Sequence, residues 1–121
     1  MAVILIVEDE DLIREYAALM INDWGYATLS AGDVDMANAL LHSAHRIDVL
    51  FTDIRLHKAV HGGFEIARKA VQLRPTLRVL YASGDVATSE ITAMFVQGAH
   101  FLQKPYSCDK LQNSLGALLS A

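Results

Sequence analysis

Cysteine is nearly absent from this sequence of 121 residues, which contains only Cys108, so no internal disulfide can form. A single cysteine is typical of proteins in a reducing compartment, and a cytoplasmic location is therefore predicted. The chain also lacks an apolar run long enough to cross a bilayer. Since no basic segment leads an apolar one at the N-terminus, we predict neither a signal peptide nor membrane association.

Positive charge is also sparse. Ten Lys and Arg residues stand against 14 Asp and Glu residues, which gives a net charge of -4, and the basic residues form no run. This pattern disfavours a nucleic-acid-binding surface. The sequence has no linker, repeat or low-complexity segment, and 53% of it is hydrophobic. We therefore expect residues 1–121 to form one domain with a normal core.

Apolar segments that resemble buried strands alternate with segments that have helical spacing of apolar residues. The predicted strands cover residues 2–7, 26–29, 48–52, 78–82 and 100–103. The predicted helices cover residues from about 10 to 24, 34–44, 64–73 and 86–97, and a last helix follows Ser107 as its N-cap. This alternation indicates repeated βαβ units and therefore an α/β sandwich, in which helices cover both faces of a parallel sheet.

Four of these strands end in a chemically useful side chain. The residues that follow them are Glu8 and Asp9, Asp53, Ser83, and Lys104. Because ligands of open parallel sheets bind at the carboxyl ends of the strands, we expect these groups to meet in one crevice.

These groups together suggest phosphate chemistry. Three neighbouring carboxylates, Glu8, Asp9 and Asp53, repel one another and need either protons or a cation. Mg²⁺ prefers oxygen ligands and often shares its coordination shell with a phosphate. Lys104 and Ser83 can each bind a phosphate oxygen. Asp53 is then the group able to attack phosphorus, since a carboxylate forms acyl phosphates.

The sequence resembles the receiver domain of two-component response regulators over essentially its whole length. The resemblance rests on four segments: Ile-Leu-Ile-Val-Glu-Asp-Glu at 4–10, Phe-Thr-Asp-Ile-Arg-Leu at 51–56, Leu-Tyr-Ala-Ser-Gly at 80–84, and Gly-Ala-His-Phe-Leu-Gln-Lys-Pro-Tyr at 98–106. It implies a three-layer α/β/α sandwich with five parallel strands in the flavodoxin-like order 2-1-3-4-5.

The resemblance also implies a role for each acid. Asp53 would accept a phosphoryl group from a phosphohistidine of a sensor histidine kinase or a histidine phosphotransfer protein. Asp9, Asp53 and the backbone carbonyl of Arg55 would ligate Mg²⁺, and Glu8 would contribute through water. On this interpretation the chain is a binding module that catalyses only its own phosphoryl transfer.

The remaining site residues would transmit the signal. Ser83 and Lys104 would bind the phosphoryl group. Movement of Ser83 and a new rotamer of Phe101 would remodel the face formed by helix 4, strand 5 and helix 5, where a downstream protein binds. The resemblance further implies a cis peptide before Pro105. We expect a monomer or weak dimer, because the last helix carries few charges.

The segment after Asp53 departs from the family pattern. Receivers commonly have a proline soon after the metal-binding carbonyl and a glycine eight residues past the aspartate, whereas here that proline is absent and Gly63 lies ten positions on. An insertion of two residues is therefore predicted in the loop over 54–63. His57 and His61 belong to this loop, and without a nearby acid in the sequence they are predicted to be solvated rather than metal ligands.

Arg55 and Asp85 flank the predicted site at positions that the family varies to set the lifetime of the phosphoryl group. Their opposite charges suggest that they pair across the mouth of the crevice and hinder the attacking water. This remains a hypothesis about lifetime.

Several alternative functions stay open. The chain can be a receiver excised from a hybrid histidine kinase, although Met1 directly before strand 1 favours a single-domain regulator. A small phosphohydrolase with an aspartyl nucleophile would want an acid at position 55, which is Arg. A receiver that never takes phosphate is disfavoured by the intact site. Nucleotide binding is disfavoured because the first turn is Glu-Asp-Glu rather than glycine-rich.

Overall fold

A computed structural model describes residues 1–57 and 59–120. The strands are β1 (Val3–Val7), β2 (Ala27–Ala31), β3 (Val49–Asp53), β4 (Arg78–Ser83) and β5 (His100–Gln103). The helices are α1 (Asp11–Asp23), α2 (Val34–Leu41), α3 (Gly62–Leu73), α4 (Ser89–Thr92) and α5 (Cys108–Ser120). All neighbouring strands are parallel and lie in the order β2-β1-β3-β4-β5, which confirms the predicted fold.

The two faces of the sheet have separate hydrophobic cores because strand side chains alternate between them. One core includes Leu5, Leu50 and Tyr81 and is covered by α2 and α3. The other includes Ile6 and Phe51 and is covered by α1 and α5. β3 is buried at all five positions, as expected for a central strand of a parallel sheet.

The register of the strands brings the site residues to one edge. Val7 of β1 lies opposite Thr52 of β3, so the next residues, Glu8 and Asp53, lie side by side at this edge. On the far side Ser83 lies opposite Gln103, and the backbone N–H of Lys104 donates to the Ser83 carbonyl at 2.8 Å. The fold therefore places five predicted site residues at the carboxyl ends of four strands.

The end of α1 and the start of α5 lie near their predicted positions, and local residues explain both. α1 is followed by Gly25, whose φ of 95° lies in the left-handed region that favours glycine. α5 begins after Ser107, whose Oγ accepts the N–H of Lys110 at 3.1 Å, as predicted for an N-cap.

α2 is shorter than predicted. It ends at Leu41 rather than near residue 44. The guanidinium of Arg74, at the end of α3, donates to the carbonyls of Leu41, Ser43 and His45. Because these carbonyls all accept hydrogen bonds from Arg74, the chain turns toward α3 instead of continuing as a helix.

The predicted helix over 86–97 is wrong in its extent, since α4 covers only four residues. The N–H of Val96 donates to the Tyr81 hydroxyl at 3.2 Å, and a longer helix would have required it to donate to the Thr92 carbonyl. The Phe95 ring packs 4.6 Å from the Tyr81 ring, and 5.9 Å from the ring of Phe101. These contacts replace the helical path with turns.

α3 begins at Gly62 rather than at Phe64. The second glycine of the pair, Gly63, packs directly against the backbone of β3, where a Cβ atom would collide with the Asp53 carbonyl oxygen and lie 2.7 Å from Ile54 Cα. Its N–H donates to the Ile54 carbonyl at 2.9 Å. The glycine is therefore required by close approach. The predicted loop before it includes Lys58, which lies outside the described residues.

Candidate functional site

Six of the predicted site residues, Asp9, Asp53, Arg55, Ser83, Asp85 and Lys104, line one open crevice at the carboxyl edge of the sheet. It has a volume of about 490 Å³ and is lined by Asp9, Glu10, Asp53, Arg55, His57, Ala82, Ser83, Gly84, Asp85 and Lys104. Asp53 and Ser83 are each only 8% exposed, and Glu8 beside them is 5% exposed. Buried polar groups of this kind need partners, and the partners are found within the crevice.

Lys104 joins two of the acids. Its ammonium lies 2.7 Å from Glu8 Oε1, 2.7 Å from Asp53 Oδ1 and 2.9 Å from Asp53 Oδ2. Such charge-assisted contacts are among the stronger hydrogen bonds in proteins. The Lys104–Pro105 peptide is cis, as expected from the resemblance.

The charged groups of the crevice shift one another's pKa values. Burial raises the pKa of Asp53, to about 8, and the neighbouring Glu8 raises it further against the opposing effect of Lys104. Burial also acts to raise the pKa of Glu8, but hydrogen bonds with Asp53 and Lys104 outweigh it and lower this pKa to about 2. Although burial disfavours the ammonium, its hydrogen bonds to Asp53 and Glu8 raise the pKa of Lys104. The two carboxyl groups are therefore shifted in opposite directions, Asp53 toward its protonated form and Glu8 toward its ionised form.

The acids are arranged as a cation would require. Glu8, Asp9 and Asp53 each offer a carboxylate oxygen, and these oxygens lie within 4.8 Å of one another. An all-oxygen donor set with an excess of negative charge fits Mg²⁺. The contribution of the Arg55 backbone carbonyl stays a prediction from the resemblance.

His57 contacts Asp9, contrary to the prediction that it has no acid nearby. Asp9 Oδ2 accepts the backbone N–H of His57 at 2.6 Å and lies 2.9 Å from its Nδ1. The two residues are 48 positions apart, so only the fold brings them together. His61 does not join them, since its ring packs at 5.7 Å from that of Phe64.

Arg55 and Asp85 form the pair that their charges suggested. The guanidinium lies 3.6 Å from Asp85 Oδ2, and both side chains are 64% exposed. Because the pair is well exposed, it contributes little to stability. It does join the β3–α3 connection to the β4–α4 connection at the mouth of the crevice.

The two predicted switch residues have separate surroundings. Ser83 Oγ accepts the N–H of Asp85 at 3.0 Å, and Ser83 lines the crevice. Phe101 is half-buried, and its ring stacks on that of Phe95 at 23°. A movement of Ser83 or a rotation of Phe101 stays a prediction.

Two residues at the site were not anticipated from the sequence. Arg14 donates to the Glu8 backbone carbonyl at 2.7 Å and to Asp11 at 2.7 Å, which fixes the start of α1 against the site. Tyr106 packs edge-on against Phe51 at 6.0 Å. The sequence around Arg14 and Tyr106 has no local pattern that predicts their contacts with Glu8 and Phe51, because these partners belong to other parts of the fold.

Comparison with known proteins places these features in a family. The family model described as the response regulator receiver domain matches residues 4–116. The nitrogen assimilation regulatory protein NtrX of Azorhizobium caulinodans is 33% identical over 109 residues, which are 89% of this chain and 24% of that protein. The autoinducer 1 sensor kinase/phosphatase LuxN of Vibrio campbellii is 24% identical over 97% of this chain and 13% of its own length. The chain thus spans about a quarter of NtrX and less of LuxN.

Solved structures agree. A response regulator receiver protein from Sinorhizobium medicae superposes with a TM-score of 0.91 at 28% identity, over 99% of this chain and 95% of that one. The receiver domain of the hybrid histidine kinase CckA gives 0.80 at 29% identity, over 98% and 99%. NtrX of Brucella abortus gives 0.86 at 30% identity, over 99% and 27%. Within the described residues, no helix has the length and apolar character that crossing a membrane requires.

Proposed function

This chain belongs to the response regulator receiver domain family of two-component systems, and we propose that it is a signalling switch set by a phosphoryl group on Asp53. The observation that carries the proposal is the surroundings of this carboxylate. It is 8% exposed, both of its oxygens lie within 2.9 Å of the Lys104 ammonium, and two further acids lie within reach of a shared cation.

In the proposed reaction an Asp53 oxygen attacks the phosphorus of a phosphohistidine. The new O–P bond forms as the P–N bond breaks, and the donor imidazole keeps the electron pair of that bond. Asp53 must enter as the carboxylate, since its protonated form is a poor nucleophile. The Lys104 ammonium and the Ser83 hydroxyl then bind oxygens of the transferred group. Rate acceleration comes mainly from positioning and charge neutralisation.

Glu8, Asp9 and Asp53, with the backbone carbonyl of Arg55, would hold Mg²⁺. When bound, the ion supplies positive charge that keeps Asp53 ionised and neutralises the phosphoryl oxygens. The same charge would relieve the repulsion among the carboxylates.

Receiver domains act between histidine kinases and downstream targets. We infer that the donor here is a sensor histidine kinase or a histidine phosphotransfer protein in the cytoplasm. The output would be a protein bound at the face formed by α4, β5 and α5, without nucleic acid. We expect residues 1–121 to act as one domain, as a monomer or weak dimer, with no catalysis beyond its own phosphorylation and slow dephosphorylation.

A receiver of a hybrid histidine kinase is the second candidate. It is favoured by the likeness to the CckA receiver, which covers 98% of this chain, and to LuxN. The chemistry at Asp53 is the same in both cases, and the two differ in whether the kinase is part of the same polypeptide.

The pair of Arg55 and Asp85 suggests control of lifetime. Both side chains stand at the mouth of the crevice, where a water must pass to hydrolyse the acyl phosphate. Removing either one, as Arg55→Ala or Asp85→Ala, is expected to speed dephosphorylation. Unchanged decay of the phosphoprotein in both variants would contradict this role.

The test of the proposed function is intact mass after incubation with acetyl phosphate, with and without Mg²⁺. We expect the mass of one phosphoryl group to be gained only with Mg²⁺, and to be lost in Asp53→Asn. Glu15→Gln, at an exposed acid of α1 that does not line the crevice, is the matched control and should still be phosphorylated. Trp24 fluorescence with a beryllofluoride mimic gives a second readout. No adduct with either reagent would rule out the switch.

A further inference from the structure

Among the described residues other than glycine, only His57 has a positive φ. Its backbone N–H also donates a hydrogen bond to Asp9. We propose that His57 is a positioning residue for the cation: it holds one oxygen of Asp9 so that the other oxygen faces the metal. This inference rests on the proposed function, because it assumes that Asp9 is a metal ligand.

The first support is the pattern of hydrogen bonds on Asp9. One oxygen, Oδ2, accepts the backbone N–H of His57 at 2.6 Å and lies 2.9 Å from the imidazole Nδ1 of the same residue, which pairs with it when that nitrogen carries a proton. Both contacts of His57 therefore fall on the same carboxylate oxygen, Oδ2. The other oxygen is then the one available to a cation. Partners of this kind orient metal ligands in many proteins.

The second support is the backbone of His57. Its φ of 30° lies in the left-handed region, which is costly for a residue with a Cβ. Such a conformation persists only where surrounding contacts hold it, and it is common at functional sites. Here Leu56 and Ala59 bridge the loop with hydrogen bonds of 3.0 and 2.6 Å. The bridge places the backbone N–H and the imidazole of His57 against the same carboxylate oxygen.

The third support is the origin of His57. It lies in the segment that departs from the family pattern by an apparent insertion of two residues. The imidazole itself is 76% exposed, whereas the Asp9 side chain is 12% exposed. The exposed residue therefore acts by holding the acid and contributes little to the core.

The opposite role is that His57 competes with the cation for Asp9. A competitor would occupy the oxygen that the metal needs, and its removal would tighten cation binding. A positioning residue gives the opposite sign, because its loss lets the carboxylate rotate. The sign of the change in affinity therefore separates the two roles.

The test compares two variants that both tolerate a positive φ. Glycine adopts it freely but has no donor, and asparagine adopts it more readily than most residues and offers a side-chain amide N–H. We expect His57→Gly to weaken Mg²⁺ and Mn²⁺ binding about 10-fold, the lower end of the range for lost outer partners, since the backbone N–H remains. His57→Asn should restore most of the affinity. Isothermal titration calorimetry measures both.

His61→Ala is the matched control, because His61 belongs to the same loop but packs on Phe64, and its cation affinity should equal that of the wild type. Equal or tighter binding by His57→Gly would overturn the inference while leaving the proposed function standing. Failure of the wild type to bind either cation would overturn both. A loss in His57→Gly that His57→Asn does not restore would also overturn it, since the backbone and not the donor would then be responsible.

Discussion

Two neighbouring connections leave the same edge of the sheet and differ sharply in how they are held. The connection after β3 leads into α3, which has 12 residues, six of them buried. The connection after β4 leads into α4, which has four residues, none of them buried. Asp53 lies at the start of the first connection and Ser83 at the start of the second.

The α3 side is anchored at both ends. Gly63 lies against the backbone next to Asp53, and Arg74 binds three carbonyls of the segment after α2. The α4 side is held by a cap from Thr88, a hydrogen bond from Val96 to the Tyr81 hydroxyl, and the half-buried ring of Phe95, which packs on Tyr81. Segments with few buried contacts open at low free-energy cost. The comparison indicates that Asp53, the proposed phosphoacceptor, is firmly held, while the segment after Ser83 is held more weakly.

The largest expected effect is at the anchored side. Gly63→Ala would place a Cβ on the Asp53 carbonyl oxygen and 2.7 Å from Ile54 Cα, and neither backbone atom can move without displacing β3. We expect the free energy of unfolding to fall by about 3 kcal/mol or more. Urea denaturation followed by circular dichroism measures it. Gly116→Ala in α5 is the control: its Cβ meets open space, and it should stabilise by about 0.5–1 kcal/mol.

The other end of α3 gives a smaller loss. Arg74→Ala removes three hydrogen bonds to carbonyls and should lower the free energy of unfolding by about 2 kcal/mol. Arg74→Lys should recover only part, because an ammonium cannot reproduce the planar fork of a guanidinium. Lys69→Ala, at an exposed position of the same helix, should change little. If Arg74→Ala and Lys69→Ala lose equal stability, Arg74 does not anchor this end of α3.

On the α4 side the expected loss of stability is small and local. Tyr81→Phe deletes the acceptor of the Val96 N–H and should cost about 1 kcal/mol. Hydrogen exchange is the better measurement, since amides over 93–97 should exchange faster while those of α3 stay protected. Tyr26→Phe, on the opposite face of the sheet, is the control. Faster exchange that spreads into α3 would show that the two sides are not independent.

The smallest effect concerns pH. Burial raises the pKa of Tyr106, to about 12, and burial also raises that of Tyr81 above the ordinary 10.0. In both cases the folded state favours the neutral phenol. The resulting stabilisation is complete below the pKa of the unfolded chain and is lost as pH rises through the folded pKa. Ultraviolet titration of the wild type against Tyr106→Phe should show that the variant lacks a step near pH 12. If Tyr106→Phe instead lacks a step near pH 10.0, the pKa of Tyr106 is not raised by burial.

The sequence predicts the strands and the acids well because their signals are local. Each buried strand is an apolar run, and Asp53 stands where such a run ends. The limits of α2 and α4 depend on distant residues: Arg74 lies 31 positions from Ser43, and Tyr81 lies 15 positions from Val96. Helical spacing cannot report a hydrogen bond that another element supplies.

The site follows the same division. The carboxylates could be predicted because each is attached to a strand, and the order of the strands brings them together. The contact between His57 and Asp9 could not be predicted, since a loop with an insertion has no period from which to read its direction.

The order of the strands has a consequence for a chain made from its N-terminus. β1 is followed by β2 on one side, and β3, β4 and β5 then join in turn on the other. Each new strand meets an open edge of a strand made before it, and none has to insert between two that are already paired. During synthesis on the ribosome the sheet can therefore grow one strand at a time, in the order in which the residues emerge.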